Sequence, residues 1–524
     1  MATHSETAQK NVEVFIVKVS VVDLGFNSLK LVSYDVKQDN SFTLFDQKSL
    51  AARLGEGLNQ TGFLGQEQMR RTIDGLKFFR EVNEYHGVRH YLCVATSAVR
   101  EAANSDQFLK QTFNETGFRF RVLSGKEEAL YSFSGAARSL GRSNILFFDI
   151  GGGSLELVSA RDSKVKKILS LPLGGLRLTQ MYGEADGSFR NKSYDEMEER
   201  ILELLPSKRE LALNDETMLV GVGGNLRALA RWDQVLRDYQ FNKLHNYSIK
   251  KDSIEMMTNE LSNLSVREIT DIDVIGKDRA ETLTAGALVI DSIMKKLGFR
   301  KVIVSTHGLR DGVLASFLDD PLAYHRGRLS KTMRKTLKPE LKIGLPLAVR
   351  SFVSMLESYD LIDKRENEIL SYEMKWITGE SSVLRPEAFF YMIMDEETFL
   401  SHRDQLIAAI SAAEHRKPRS ADWLVRRYRM MLKGRKSEEM IEKIAAISKL
   451  LDIIVKTDSK IRFSIVENGS KLRLQVLPGK QHFPESLLGI SMRQLGDKLD
   501  RFVEYSIKYP NQSLKMEPVA AAGP

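Results

Sequence analysis

Residues 144–159, NILFFDIGGGSLELVS, hold the strongest chemical signal in the chain. Asp149 ends an apolar run, Gly151, Gly152, Gly153 and Ser154 follow, and Glu156 stands in the next apolar run. Glycines without a Cβ let backbone N–H groups point into open space, where they take phosphate oxygens, while a carboxylate beside them can hold magnesium. A ligand-free glycine hairpin would carry the same letters. The pattern recurs in residues 17–31, VKVSVVDLGFNSLKL, with Asp23, Gly25, Asn27 and Ser28 in the corresponding places. Two strand–Asp–Gly-turn–strand units suggest a duplicated fold whose turns face one cleft. A third glycine turn, Gly223-Gly224-Asn225, lies between an apolar run and a helical pattern, where N–H donors and the helix dipole favour an anion.

The elements that must position these turns alternate between strand and helix. Strands are expected on both sides of each of the first two turns and at 42–45, 90–95, 118–123, 218–222 and 301–305. Helical spacing marks 66–85, 105–116, 125–140, 194–205, 279–297 and the segments after the turns at 223–225 and 306–312. That alternation argues an α/β fold. From about 319 the glycine turns become rare and helical patterns dominate 337–356, 365–376, 404–413 and 437–455. Alternating apolar residues on both sides of Asn468-Gly469 then predict a hairpin over 460–477.

At 524 residues the chain should hold several domains, and 42% hydrophobic with 28% charged residues is ordinary for a globular protein. One cysteine, Cys93, excludes an internal disulfide framework, and its apolar run reads as a buried structural thiol. No stretch reaches the roughly 18 apolar residues of a membrane span, and residues 1–10 lack the apolar core of a secretory signal. A cytoplasmic location and no membrane partner are expected. The net charge of +8 points only weakly to an anionic partner.

Taken in order, DLGFNSLK, RLGEGL, ATSAVRE, SGKEEAL, FDIGGGSLELV, LPLGGLRL, VGVGGNLRALA, ETLTAGALVI and STHGLRDG resemble the exopolyphosphatase/guanosine pentaphosphate phosphohydrolase (Ppx/GppA) family over roughly 14–317. The resemblance implies two actin-like, ribonuclease-H-like lobes that hydrolyse a terminal phosphoanhydride between them. It implies that Glu128 activates the attacking water, that Asp149 and Glu156 serve metal and water, and that Arg100 faces the phosphate chain. It also implies that the turns at 25–28 and 151–154 bind phosphate. Asp23, Asp149 and Glu156 are the expected ligands of Mg2+ or Mn2+, and Gly223, Gly224 and Asn225 a further phosphate turn. Glu127 is the alternative to Glu128, a surface ion pair the alternative for Arg100, and a basic neighbour the alternative partner of Glu156. Phe26 stands where the family commonly has a small residue; its bulk either narrows the entrance or points into the core. Asn225 replaces a small hydroxyl residue, and Asp311 stands where glutamate is common.

The expected organisation is a tail at 1–12, lobes at 13–140 and 141–318, an HD-like helical domain at 319–458, a small α+β domain at 459–515 and a tail at 516–524. No His-Asp dipeptide occurs; residues 372–376 stand where one is expected, so the HD-like domain should lack its metal dyad, with His402, Asp404 and His415 as a remote alternative. The substrate expected is inorganic polyphosphate, with a phosphorylated guanine nucleotide as the rival. A catalytically weak sensor and a sugar kinase are the competing classes, a homodimer is an option, and no specific nucleic acid is expected. Two basic runs, 326–338 and 415–436, either bind a long polyanion or form a solvated face.

Overall fold

The structure, a computed structural model, describes residues 17–38, 42–184, 188–327, 345–378, 385–416, 422–457, 461–468, 471–478, 495, 498, 502–507 and 515–516. Packing divides the chain into two units, Met1–Lys338 and Pro339–Pro524.

The first unit contains two sheets. β1 (Val17–Leu24), β2 (Leu29–Val36), β3 (Phe42–Leu50), β4 (His90–Ala95) and β5 (Arg121–Val122) lie in the order β3-β2-β1-β4-β5. β6 (Ile145–Ile150), β7 (Leu155–Arg161), β8 (Lys164–Leu171), β9 (Met218–Val222), β10 (Ser248–Lys250) and β11 (Lys301–Val304) lie in the order β10-β11-β9-β6-β7-β8. In each sheet an antiparallel three-strand meander leads, and its first strand then pairs in parallel with a later strand, β1 with β4 and β6 with β9. The duplicated grammar of the two turns is therefore a duplicated topology.

The central strands β1 and β6 are mostly apolar, with residues buried toward both faces, because both faces are covered. Along β6, Ile145 and Phe147 face one cluster, while Leu146, Phe148 and Ile150 face another. Along β1, Val19 and Val21 face one side and Val22 and Leu24 the other. Two helices, Gly125–Leu140 and Leu309–Asp319, cross between the sheets. Ala129, Phe133 and Ala136 of the first pack behind β6, while Leu130 and Tyr131 join Val313 and Leu314 of the second behind β1. The crossing is backbone against backbone: a Cβ on Gly312 would lie 1.8 Å from the Tyr131 carbonyl oxygen.

Some elements differ from expectation. The strand expected over 118–123 is only β5, because Leu123 N–H donates to Ala95 O and Ser124 then caps the next helix. β8 and the helices Gly175–Tyr182 and Lys251–Leu261 were not anticipated; β8 is an edge strand loaded with lysine, which hides its apolar alternation. The helix Pro321–His325 buries Tyr324 in the cluster behind β1, so the boundary expected at 318 falls inside the first unit.

The second unit holds the helices Leu347–Ser358, Lys364–Ile377, Pro386–Asp395, His402–Arg416, Asp422–Arg427, Arg429–Leu432 and Arg435–Thr457. Its sheet runs β12 (Arg462–Asn468), β13 (Lys471–Leu477), β14 (Phe502–Ile507) and β15 (Lys515–Met516) in sequence order. β12 and β13 pair antiparallel with Asn468 opposite Lys471, the hairpin expected there. The start of the helix expected at 337, most of the 326–338 basic run, the tail at 1–12 and all of the 516–524 tail except Met516, which ends β15, lie outside the described residues.

Candidate functional site

The two sequence-related turns have the same closure. Gly25 N–H donates to Ser28 O at 3.0 Å, and Gly151 N–H donates to Ser154 O at 3.0 Å. Those two donors are used within the turns, so the donors available to a ligand lie further along each turn. Among the described residues, no protein acceptor takes the N–H groups of Asn27, Gly152 or Gly153. One cleft is lined by Asp23, Gly25, Asn27 and Ser28 from the first turn, Asp149, Gly151, Gly152, Ser154 and Glu156 from the second, and Gly223, Gly224 and Asn225 from the third, together with Glu128. Gly153 instead packs under Phe26 and Ser97. The Asn225 side chain is turned away from ligand duty: its Nδ2 donates to Thr282 O and its Oδ1 accepts from Thr282 Oγ1, both at 3.1 Å.

The start of the Gly125–Leu140 helix sends Glu127 and Glu128 to different surroundings. Glu127 completes a capping box with Ser124 and pairs with Arg121, so it is committed to the helix end. Glu128, one residue on, points to the cleft, its side chain 12% exposed. Arg100 Nη1 donates to Glu128 Oε2 at 2.9 Å and to Leu123 O at 2.8 Å. Arg100 is therefore a holder of Glu128, and it is not among the residues lining the cleft. One turn further along the same helix, Ser132 Oγ donates to Asp149 Oδ2 at 2.7 Å. Glu156 has a serine as partner rather than a basic neighbour, Ser170 Oγ donating to its Oε1 at 2.9 Å.

These carboxylates disturb one another. Burial pushes Glu128 up to about 7, with Asp149 and Asp23 adding to the rise and Arg100 opposing it. Burial, then Glu128 and Asp149, hold Glu156 well above the ordinary range. Burial also raises Asp149, against the pull of Ser132 and Lys30. Among the described residues, no three of the cleft's carboxylates bring their oxygens within 4.8 Å of one another. The donor set is all hard oxygen, which suits a magnesium ion that keeps its own waters and takes only one or two carboxylates.

Sequence reasoning missed the opposite pole. Lys30, Arg227, Arg279 and Arg310 also line the cleft, and none of them has a salt bridge among the described residues. Burial and Arg310 bring the Lys30 ammonium down to about 7, against the pull of Asp23, with Arg227 and Arg279 adding to the fall. Burial, then Arg310 and Arg279, lower Arg227 to about 10. Three of the four stand in or close behind a turn already singled out: Lys30 two residues after Ser28, Arg227 two after Asn225, and Arg310 inside the 306–312 turn. That spacing was the available signal; Arg279, at the start of the Lys277–Leu297 helix, had none.

In the second unit, Asp404 accepts from Arg365 and Ser401, and His415 Nε2 lies 3.3 Å from Asp452 Oδ2. Among the described residues, His402, Asp404 and His415 do not gather as metal ligands. Glu373, in the stretch where a His-Asp dyad was sought, is fully buried; Ser411 Oγ donates to it at 2.9 Å, and burial pushes its carboxyl up to about 8. Asp311, the departure in the last glycine motif, is structural: it accepts from Gly308 N–H at 2.9 Å and from Tyr34 OH at 3.3 Å.

A model of the Ppx/GppA phosphatase family matches residues 32–320. A bifunctional 3-dehydroquinate synthase/phosphatase of Fusobacterium nucleatum is 29% identical over 316 residues, 57% of this chain and 46% of that protein, so the chain spans less than half of that relative. Exopolyphosphatase 1 of Mycobacterium tuberculosis is 27% identical over 307 residues, 58% of this chain and 88% of the relative. The crystal structure of an exopolyphosphatase from Cytophaga hutchinsonii superposes with a TM-score of 0.54 at 26% identity, covering 58% of this chain and 98% of that one.

Proposed function

The chain belongs to the Ppx/GppA phosphatase family, and from that premise we propose that its cleft hydrolyses the terminal phosphoanhydride of inorganic polyphosphate and releases orthophosphate. The observation that carries this reading is the polarity of the cleft: Glu128, Asp149, Glu156 and Asp23 on one side, Lys30, Arg227, Arg279 and Arg310 on the other. Four partly desolvated cations without salt bridges among the described residues are a seat for a polyanion. The acidic side would repel that polyanion unless a divalent cation stood between them. Asp23, Asp149 and Glu156 are the residues that would hold Mg2+ or Mn2+, which when bound neutralises charge on phosphoryl oxygens.

The chain's own residues supply the rest. Phosphoryl transfer asks the protein for in-line positioning and charge stabilisation, with little covalent work. The Gly152 and Asn27 N–H groups approach the terminal phosphoryl from two turns, and the four cations take the following phosphates. Glu128 keeps Oε2 on Arg100, so Oε1 is the oxygen left for a water. A carboxyl poised near 7 is matched to taking a proton at neutral pH. The exopolyphosphatase names of the relatives support polyphosphate over a guanine nucleotide. For the second unit the reading is an HD-like helical bundle without metal chemistry, supported by Glu373 as a buried carboxyl held by serines. Among the described residues, no helix is long and apolar enough to cross a membrane.

The test is orthophosphate release from long-chain polyphosphate and from guanosine pentaphosphate in parallel, with magnesium, with manganese and with chelator. Release from polyphosphate that needs metal is the expected result. Release from the nucleotide alone would transfer the same cleft to the rival substrate, and release from neither would reject the reading.

A further inference from the structure

The Gly175–Tyr182 helix was absent from the sequence reading, yet it grips the second phosphate turn. Gly175 N–H donates to Gly151 O at 3.0 Å, Arg177 N–H to Gly152 O at 2.9 Å and Arg177 Nε to Gly153 O at 2.7 Å. All three glycine carbonyls are thus held on one side. A peptide plane whose C=O is fixed has its N–H fixed in the opposite sense, so the clamp on the Gly151, Gly152 and Gly153 carbonyls orients the N–H groups of Gly152, Gly153 and Ser154 in turn. Two of the three contacts come from backbone N–H groups at a helix start, which lack intrahelical partners. The third comes from a side chain.

Arg177 reaches further than the turn. Its Nη2 donates to Glu101 Oε2 at 2.5 Å, and its guanidinium lies 5.9 Å from the centre of the Phe26 ring. Glu101 follows Arg100, the holder of Glu128, and both belong to the short helix Ser97–Glu101. Phe26 is 2% exposed and fills the space over Gly153, where an added Cβ would come within 2.6 Å of the ring. The unusual aromatic residue in the first turn therefore points into the apolar cluster of the first sheet, with one edge lining the cleft. It is the platform on which the guanidinium rests, and Leu176 beside it joins the apolar cluster of the first sheet. With only 14% of its side chain exposed, Arg177 is a fixed strut rather than a surface charge.

We propose that Arg177 is a positioning residue for the reaction: through the Gly153 carbonyl its side chain sets the direction of the Ser154 N–H, and it keeps the turn in register with the Arg100–Glu128 pair across the cleft. This rests on reading the cleft as a phosphoryl-transfer site. Arginine suits the task because one planar fork meets the Gly153 carbonyl, a carboxylate and an aromatic face at once, which a lysine cannot. The donors matter most when charge spreads over the phosphoryl oxygens in the transition state. Affinity for a long chain, by contrast, comes mainly from the four cations.

The test compares Arg177→Ala, Arg177→Lys and Glu101→Gln with the wild-type chain. Arg177→Ala should lower kcat about 10²-fold, the size of one lost oriented donor. Its KM for long-chain polyphosphate should stay within about threefold, because the four cations carry most of the affinity for a long chain. Millimolar guanidinium should restore part of kcat in Arg177→Ala and none in Arg177→Lys, while Glu101→Gln should give a smaller loss. Inorganic phosphate should raise the Tm of the wild type and raise that of Arg177→Ala less, a readout independent of turnover. A loss of kcat that tracks a fall in Tm, with no guanidinium rescue, would overturn the proposal and leave Arg177 as packing. An equal Tm rise with phosphate in both chains would overturn it too. A wild-type chain inactive on polyphosphate would strike the substrate reading, while the phosphate experiment would still decide the role of Arg177.

Discussion

Glu128 and Glu373 are both glutamates whose carboxyls burial pushes upward, to about 7 and about 8. Their company differs. Glu128 lines a cleft, holds Arg100 at 2.9 Å and feels Asp149 and Asp23. Glu373 sits inside the helices of the second unit with Ser411 at 2.9 Å and Ser448 as its partners, and its Oε1 has no hydrogen bond among the described residues. Desolvation alone can shift a carboxyl this far, so a perturbed group is not by itself a site. What marks Glu128 is the set of charges around it and the open face in front of it.

Stripping each glutamate of one neighbour should separate them most strongly. Asp149→Ala should cost about 10²–10⁴ in kcat together with the metal dependence, since a metal's charge stabilisation is worth several kcal/mol. Ser411→Ala should leave kcat alone and cost about 1–3 kcal/mol of stability by leaving a buried acceptor unpaired. Steady-state kinetics and denaturant unfolding on the two variants check this, and a comparable kcat loss in Ser411→Ala would break the contrast.

The two groups should also answer pH in opposite senses. The base must be deprotonated, so the wild-type rate should climb with pH and level above about 7. Arg100→Ala removes a cation that holds Glu128 down, so the midpoint of the rate profile should move up and the rate at neutral pH fall about tenfold. Glu373 binds its proton more tightly folded than unfolded. Its contribution to stability is complete below the ordinary value of 4.5 and is lost as pH rises through about 8, at about 1.4 kcal/mol per unit. Glu373→Gln should flatten that slope in unfolding measured across the window.

The smallest effect concerns cations that stay in water. Arg426, Arg427, Arg429 and Lys433 are exposed, unlike the partly buried four of the cleft. Neutralising them together should weaken direct binding of long polyphosphate about tenfold at low salt, with the difference fading as salt rises and short oligophosphates unaffected. Equal losses on long and short chains would point to damage in the cleft.

The acidic pole was legible because each of its members sits in a local pattern. Asp149 and Glu156 bracket a glycine turn, Asp23 opens its copy, and Glu128 starts a helix behind a Ser-Gly pair. The basic pole was not, because Lys30, Arg227, Arg279 and Arg310 come from four separate segments that meet only after folding. Arg100 was placed in the right motif, but its partner is Glu128, a contact 28 residues away that no local pattern encodes. The alternating α/β order was readable from periodicity. The Gly175–Tyr182 helix was not, since two turns that open on a Gly-Gly pair look like another loop.

The account stands on Glu128 as the base, and the direct measurement is Glu128→Gln assayed for polyphosphate binding and for orthophosphate release in the same preparation. The amide keeps the shape but cannot take the water's proton. Release should fall by about 10²–10⁴ while affinity for the long chain stays close to wild type. Near-wild-type release from the variant would contradict the account.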